Sequence, residues 1–163
     1  MITLSYTPIA YKESQFMDII EKRVRKEIRK YGYFKAKEKV YVLDDGSKEF
    51  AVSVSMLKGI FKDVLTLLPV KKLNAKKIII PWNLEREITE KFSCFLEHKK
   101  FPKRKKNHIY LLKCVLDEEL EVYAKLKKLS YTPKKEPCHQ IIEEMQKQHP
   151  ETKFSLYRSF EQL

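Results

Sequence analysis

This sequence predicts a parallel α/β fold, and three observations carry that prediction. Strand-like and helix-like stretches alternate from residue 39 to residue 100, the pattern of a sheet layered with helices. The segment Lys-Lys-Ile-Ile-Ile-Pro at 76–81 is short and uniformly apolar at its centre, as strands buried on both faces of a parallel sheet are. The stretch KVYVLDDGSKEFAV at 39–52 runs from a β-branched strand through Asp-Asp-Gly-Ser-Lys into an apolar run. A strand, turn and helix in that order aim backbone N–H groups at an anion.

Each element follows from local pattern. Between Ser14 and Tyr31, Phe16, Ile20, Val24 and Ile28 recur every fourth residue, with Met17 and Ile19 widening the stripe, so a helix is predicted. Glu13 or Ser14 stands where it should start and Gly32 where it should stop. Its other faces carry Lys22, Arg23, Arg25, Lys26, Arg29 and Lys30. These form either a solvated surface or a phosphate-contacting face.

Lys39–Leu43 has strand character, and 50–68 is long and apolar enough for a helix that Pro69 would end. After the strand at 76–81, residues 83–100 form a helix capped by Asn83, with Leu84, Ile88, Phe92 and Phe95 on one side. Residues 99–106, KKFPKRKK, hold six basic residues in eight, and Pro102 makes them an exposed loop. A strand or extended segment is expected over 109–116. A helix should follow over 117–129, acidic at its start and basic at its end. SYTPKKEP is a turn-rich connection, and 138–149 is a further helix ending before Pro150.

At 163 residues one domain, 1–163, is expected. Hydrophobic residues at 43%, spread along the chain, indicate a folded protein. No apolar run is long enough to span a membrane, and the N-terminus lacks the layout of a signal peptide, so a cytoplasmic protein without a membrane partner is expected. Thirty-four Lys and Arg against 22 Asp and Glu leave a charge of +12, which points to a polyanionic partner, nucleic acid ahead of membrane. A hot-living source enriches both signs together, whereas this balance is lopsided.

Cys94, Cys114 and Cys138 are odd in number and far apart, which leaves neither a disulfide framework nor a Cys-x-x-Cys metal knuckle. Three glycines, against roughly eleven at average usage, exclude a Gly-rich loop. Cys138 and His139 are neighbours in sequence, a spacing at which side chains rarely face one another. His98, His108, His139 and His149 lack metal-ligand spacing. No catalytic or metal-binding residue is therefore assigned. Trp82, after Pro81 at a strand end, is either a core or rim residue or a base-stacking one.

Several stretches together resemble the PP-loop tRNA thiolation enzymes of the TtcA/TtuA type, which include the cytosolic tRNA 2-thiolation proteins of eukaryotes. HPETKFSLYRSFEQL at 149–163 is similar to the family's His-Pro-Gly-Thr-Lys-Phe-Ser-x-x-Arg-Ser-Phe close. LDEELEVYAKLKKLSY at 116–131 resembles its Pro-Glu-Lys-Glu-Val-x-x-Tyr-Ala segment, and Glu136-Pro137-Cys138 falls near its Glu-Cys-Pro. IIIPWNLERE at 78–87 resembles its Gly-His-Asn-Leu-Asp-Asp-Glu turn, and residues 16–43 match the helix and strand before its phosphate loop. The resemblance implies an adenine-nucleotide alpha-hydrolase-like (PP-loop ATPase) parallel sheet flanked by helices. It also implies ATP-dependent adenylation of a tRNA base followed by sulfur insertion, in many members with an iron–sulfur cluster on three cysteines.

The departures are concentrated at the chemistry. The family's Ser-Gly-Gly-Lys-Asp-Ser aligns with Asp45-Gly46-Ser47-Lys48-Glu49-Phe50, so a carboxylate replaces the first serine and a phenyl ring the last. Asn83 and Leu84 persist, but Pro81-Trp82 replace Gly-His. Cys138 stands alone where the third cluster cysteine would be. Only about ten residues separate the predicted helix at 50–68 from the strand at 76–81, so an abbreviated domain is expected, without the family's middle strand–helix units or its zinc module.

The expected function is that of a degenerate, non-catalytic PP-loop homologue that binds tRNA or partners a thiolation enzyme, as a hetero-oligomer or a homodimer. Neither ATP nor an iron–sulfur cluster is expected as cofactor. Arg25, Lys26, Arg29, Lys103, Arg104, Lys105 and Lys106 are the candidate RNA contacts. Asp45, Gly46, Ser47, Lys48 and Asn83 mark the degenerate nucleotide site. The alternatives are an active ATP-dependent tRNA thiolase in which Ser47 and Lys48 touch phosphate and Cys138 carries sulfur, and a structural interaction protein.

Overall fold

The computed structural model describes residues 1–60, 65–68, 76–134 and 138–163, with only the backbone described at 65–68. Two strands, β1 (Ile2–Leu4) and β2 (Thr7–Tyr11), pair antiparallel as an N-terminal hairpin. No period in the sequence announced it, because both strands are short and largely solvent-facing. Helix α1 (Glu13–Tyr31) follows and buries Phe16, Ile20, Val24 and Ile28, the predicted stripe. Each such side chain contributes ~1.5–3 kcal/mol of burial. Gln15 accepts from the Lys12 N–H at its start. At its end Gly32 adopts φ +59° and donates its N–H to the Ile28 carbonyl, a conformation that a Cβ would strain.

The second sheet contains β3 (Glu38–Val42), β4 (Leu65–Leu68), β5 (Lys77–Ile79) and β6 (His108–Ile109), all parallel, in the order β4-β3-β5-β6. Helix α2 (Lys48–Ile60) leads from β3 towards β4, and α3 (Leu84–Leu96) leads from β5 towards β6. Helices α4 (Asp117–Leu126), α5 (Gln140–Gln148) and α6 (Thr152–Phe160) complete the chain. Val40, Val42, Ile79 and Ile109 of the sheet share one core with α1–α4.

Three expectations are corrected. The helix predicted over 50–68 ends at Ile60, and 65–68 is strand β4 beside β3. A predominantly apolar segment with no clear period does not separate helix from strand, and the parallel edge of β3 decides. The region between the first helix of the sheet and the strand at 76–81 therefore holds a strand, not a bare connector. The extended segment predicted over 109–116 pairs only at His108 and Ile109, then turns back through Lys113 N–H to Tyr110 and Val115 N–H to Leu112. Finally, the C-terminal motif forms α6, which the sequence reading had not assigned as a helix. Pro69, Glu136 and Pro137 lie outside the described residues.

Candidate functional site at the switch point of the sheet

Chain order reverses between β3 and β5: the chain leaves β3 towards β4 on one side and β5 towards β6 on the other. In open parallel sheets this crevice, at the carboxyl ends of the strands, is where ligands bind. Here it is formed by the turn after β3, residues 43–47, and the turn after β5, residues 80–83. Helices α2, α3 and α4 all begin at it, at Lys48, Leu84 and Asp117. Three helix N-termini in one place make a strongly anion-seeking site.

The chain's own carboxylates already meet that demand. The Gly46 N–H donates to Asp44 Oδ1 at 3.0 Å and the Ser47 N–H to Asp45 Oδ1 at 3.0 Å. Ser47 caps α2, its Oγ accepting the Phe50 N–H at 3.2 Å. The carbonyl of Gly46, at φ +71°, accepts the Thr132 N–H at 2.9 Å, so the connection after α4 is tied to the turn. Across the crevice, Lys48 Nζ lies 2.7 Å from Asp117 Oδ1. Asn83 Nδ2 donates to Glu49 Oε1 at 2.8 Å and to Asp117 Oδ1 at 3.3 Å, while its Oδ1 caps α3 by accepting the Arg86 N–H. Glu85 accepts the Asp117 N–H, the first amide of α4, at 2.9 Å. Ser47, Lys48, Glu49, Asn83 and Glu85 are all buried.

Beside this network lies a cavity of ≈ 190 Å³ lined by Ser5, Glu85, Asp117, Cys138, Gln146 and Lys153, among others. Lys153 spans it, 3.3 Å from Glu85 and 3.0 Å from Glu143. Burial pushes the Glu85 carboxyl up to about 7, with Lys153 opposing the shift. Burial also raises the Cys138 thiol, although its Sγ accepts the Thr89 hydroxyl at 3.5 Å, so it is held in the less nucleophilic thiol form. His139 caps α5, its Nδ1 accepting the Ile141 N–H, and its ring meets Phe92 edge-on. The neighbouring cysteine and histidine thus do not form a catalytic pair. Cys114 is in the core, where burial pushes its thiol up to about 12. Among the described residues no group of three or more His, Cys, Asp or Glu side chains could hold a metal ion. The one thiol at this cavity does not fit a cluster that needs three.

The predicted basic residues separate into two kinds. Lys26, Arg29, Lys103, Lys105 and Lys106 are exposed and make no ion pair among the described residues. Arg25 is exposed too, but its guanidinium lies 3.7 Å from Glu21. Arg104 is half-buried and engaged on α3: it hydrogen-bonds Glu87 and Glu90 and stacks 4.9 Å over Trp82 and 4.4 Å over Tyr110. Trp82 is committed as well, with Arg86 4.2 Å over its ring and its Nε1–H donated to Glu87. Sequence reasoning missed Asp44, Asp117, Glu85 and Lys153. The signals were present: Asp117 opens an acidic first turn, and Lys153 lies in the C-terminal motif.

No protein-family model matches this chain, and no curated protein matches it in sequence. Among solved structures it is similar to the U34-tRNA thiolase NcsA from Methanococcus maripaludis, which carries a 4Fe-4S cluster, with a TM-score of 0.73 at 15% identity. That match covers 93% of this chain and 80% of the other. What the likeness establishes is fold: this chain shares with that protein an α/β architecture in which a parallel sheet is flanked by helices.

Proposed function

We propose that this chain is a PP-loop homologue that serves tRNA thiolation without ATP chemistry of its own, by binding tRNA or a full-length thiolation enzyme. One observation carries the reading. The amides and the lysine that a phosphate loop would present to a nucleotide are spent on Asp44, Asp45 and Asp117. Bringing a pyrophosphate to the same amides would set it against three carboxylates, of which Asp44 and Asp45 are exposed, a repulsion of about 1–4 kcal/mol per charge pair at ~4 Å near a protein surface. The single thiol at the adjacent cavity supports a chain without a cluster. The charge of +12 and the fold shared with a tRNA thiolase support tRNA as the partner. Lys26, Arg29, Lys103, Lys105 and Lys106 are the proposed contacts, since they are exposed and have no ion-pair partner among the described residues.

Thermal melting with and without Mg-ATP, beside a tRNA mobility-shift titration, tests this. A nucleotide at a hundred times its Kd stabilises by ~2.7 kcal/mol, a shift of ~5–10 °C in a chain of this size. The expected result is no such shift, with tRNA bound at low salt and released as salt rises. ATP stabilisation, or pyrophosphate release in the presence of tRNA, would establish the active-enzyme reading instead.

A further inference from the structure

We propose that the groove between α1 and α6 is where an RNA phosphodiester backbone lies, an assignment that rests on the tRNA-binding reading above. The groove has a volume of ≈ 490 Å³ and continues into a second hollow of ≈ 240 Å³, the two sharing Arg23, Phe154 and Arg158. Its rim is cationic on both sides: Arg23, Lys26 and Lys30 from α1, and Arg158 from α6.

The charges on this rim differ in availability. Arg23 is held 2.6 Å from the fully buried Glu119 and lies 5.0 Å over the Phe154 ring, so it shapes the wall. Lys26 and Arg158 are exposed and have no ion-pair partner among the described residues. The acids differ in how far they are offset, and Glu151 of the second hollow is exposed with no ion-pair partner among the described residues. Glu27 accepts the Tyr157 hydroxyl at 3.3 Å. Glu161 has the ammonium groups of Lys91, Lys113 and Lys30 within 3.3, 3.2 and 3.7 Å. Four cations, Arg23, Lys26, Lys30 and Arg158, line the two hollows against three carboxylates, Glu27, Glu151 and Glu161, so the lining keeps a positive excess that Lys26 and Arg158 present at its lip.

Charge favours a polyanion backbone over an amphipathic peptide: Lys26 and Arg158 stand exposed at the lip, and the half-buried Phe154 ring between them offers an apolar wall on which a ribose or base can pack. Lys26 and Lys30, the α1 lysines on the rim, stand one four-residue step apart, ~6 Å along the helix, comparable to the separation of successive phosphates in a strand. By contrast, the loop at 99–106 has its Arg104 folded back onto α3.

The test is tRNA binding by the full chain across a salt series, for wild type, Lys26→Ala/Arg158→Ala, and Lys39→Ala/Lys147→Ala. The last pair removes two exposed charges elsewhere, so net charge is matched. The groove variant is expected to lose at least tenfold in affinity at low salt. Its log K against log salt slope should fall by ~1.4–1.8, from 0.7–0.9 per phosphate contact. The matched control is expected to stay within about twofold, the residual expected from screened long-range charge. Equal loss in both variants, or no loss in the groove variant while wild type binds, overturns the groove and leaves the tRNA reading standing. Wild type that fails to bind tRNA at low salt overturns both. Displacement of bound tRNA by polyglutamate at equal charge concentration would assign the groove to an acidic protein segment and overturn the RNA assignment.

Discussion

Lys48 and Asp117, 69 positions apart in sequence, meet at 2.7 Å across the switch point and close it. The lysine is the more buried partner, its side chain 9% exposed against 28% for the aspartate. Loss of either side should therefore be unequal. Asp117→Ala strands a buried ammonium and is expected to cost ~3 kcal/mol. Lys48→Met removes the buried charge and leaves an aspartate that water and Asn83 can still satisfy, and is expected to cost under ~1.5 kcal/mol. Urea unfolding of the two variants at pH 7 measures the difference; a larger loss for Lys48→Met would contradict the burial.

The turn at 44–47 makes a separate prediction. Asp44→Ala/Asp45→Ala frees the Gly46 and Ser47 amides, each now held at 3.0 Å by a carboxylate. The variant should lose ~1–2 kcal/mol from the two hydrogen bonds. It should also gain stabilisation by inorganic pyrophosphate, ~1.4 kcal/mol at ten times its Kd, which wild type is expected not to show. Melting temperature against pyrophosphate concentration is the measurement, and identical curves for the two proteins would refute the autogenous filling of the site.

Glu85 makes stability depend on pH. Its carboxyl is raised from an ordinary 4.5 to about 7 by burial. The folded state therefore holds a proton that the unfolded state has released, and the stabilisation is complete below pH 4.5. It declines as pH rises through 7, by ~3 kcal/mol in all. Wild type should accordingly lose stability from pH 5 to pH 8, and Glu85→Gln should flatten that slope. Urea midpoints at four pH values would show it, and an unchanged slope in the variant would remove Glu85 as the cause.

Arg104 should behave as a structural residue. Its guanidinium lies over Trp82, the sole tryptophan, and is paired to Glu87 and Glu90. Arg104→Ala is expected to cost ~1–2 kcal/mol and to shift Trp82 fluorescence. An emission spectrum identical to wild type would show that the stack does not form in solution.

Where one strong local signal was present, the sequence was sufficient. The fourfold recurrence from Phe16 to Ile28, with Gly32 after it, located α1 to within a residue. Asn83 before Leu84 located the start of α3, and the apolar triplet Ile78–Ile80 announced β5. The alternation of these elements was enough for a parallel α/β sheet, because each period records which face is buried. The positive charge was likewise plain from composition.

The identity of 65–68 as strand was settled by the open edge of β3. Pairing was settled only by the fold too: Lys48 with Asp117, Lys153 with Glu85, and Arg23 with Glu119 each join residues tens of positions apart. A charge in sequence has no partner until the chain is packed, and burial then decides whether it is spent or free. So the sequence by itself determined the architecture and the basic character of this protein. The tertiary structure alone decided that the Gly46 and Ser47 amides are held by Asp44 and Asp45, that Arg104 is committed, and that Lys26 and Arg158 have no ion-pair partner among the described residues. Local pattern reports which faces are buried, whereas electrostatic satisfaction is a property of distances between elements.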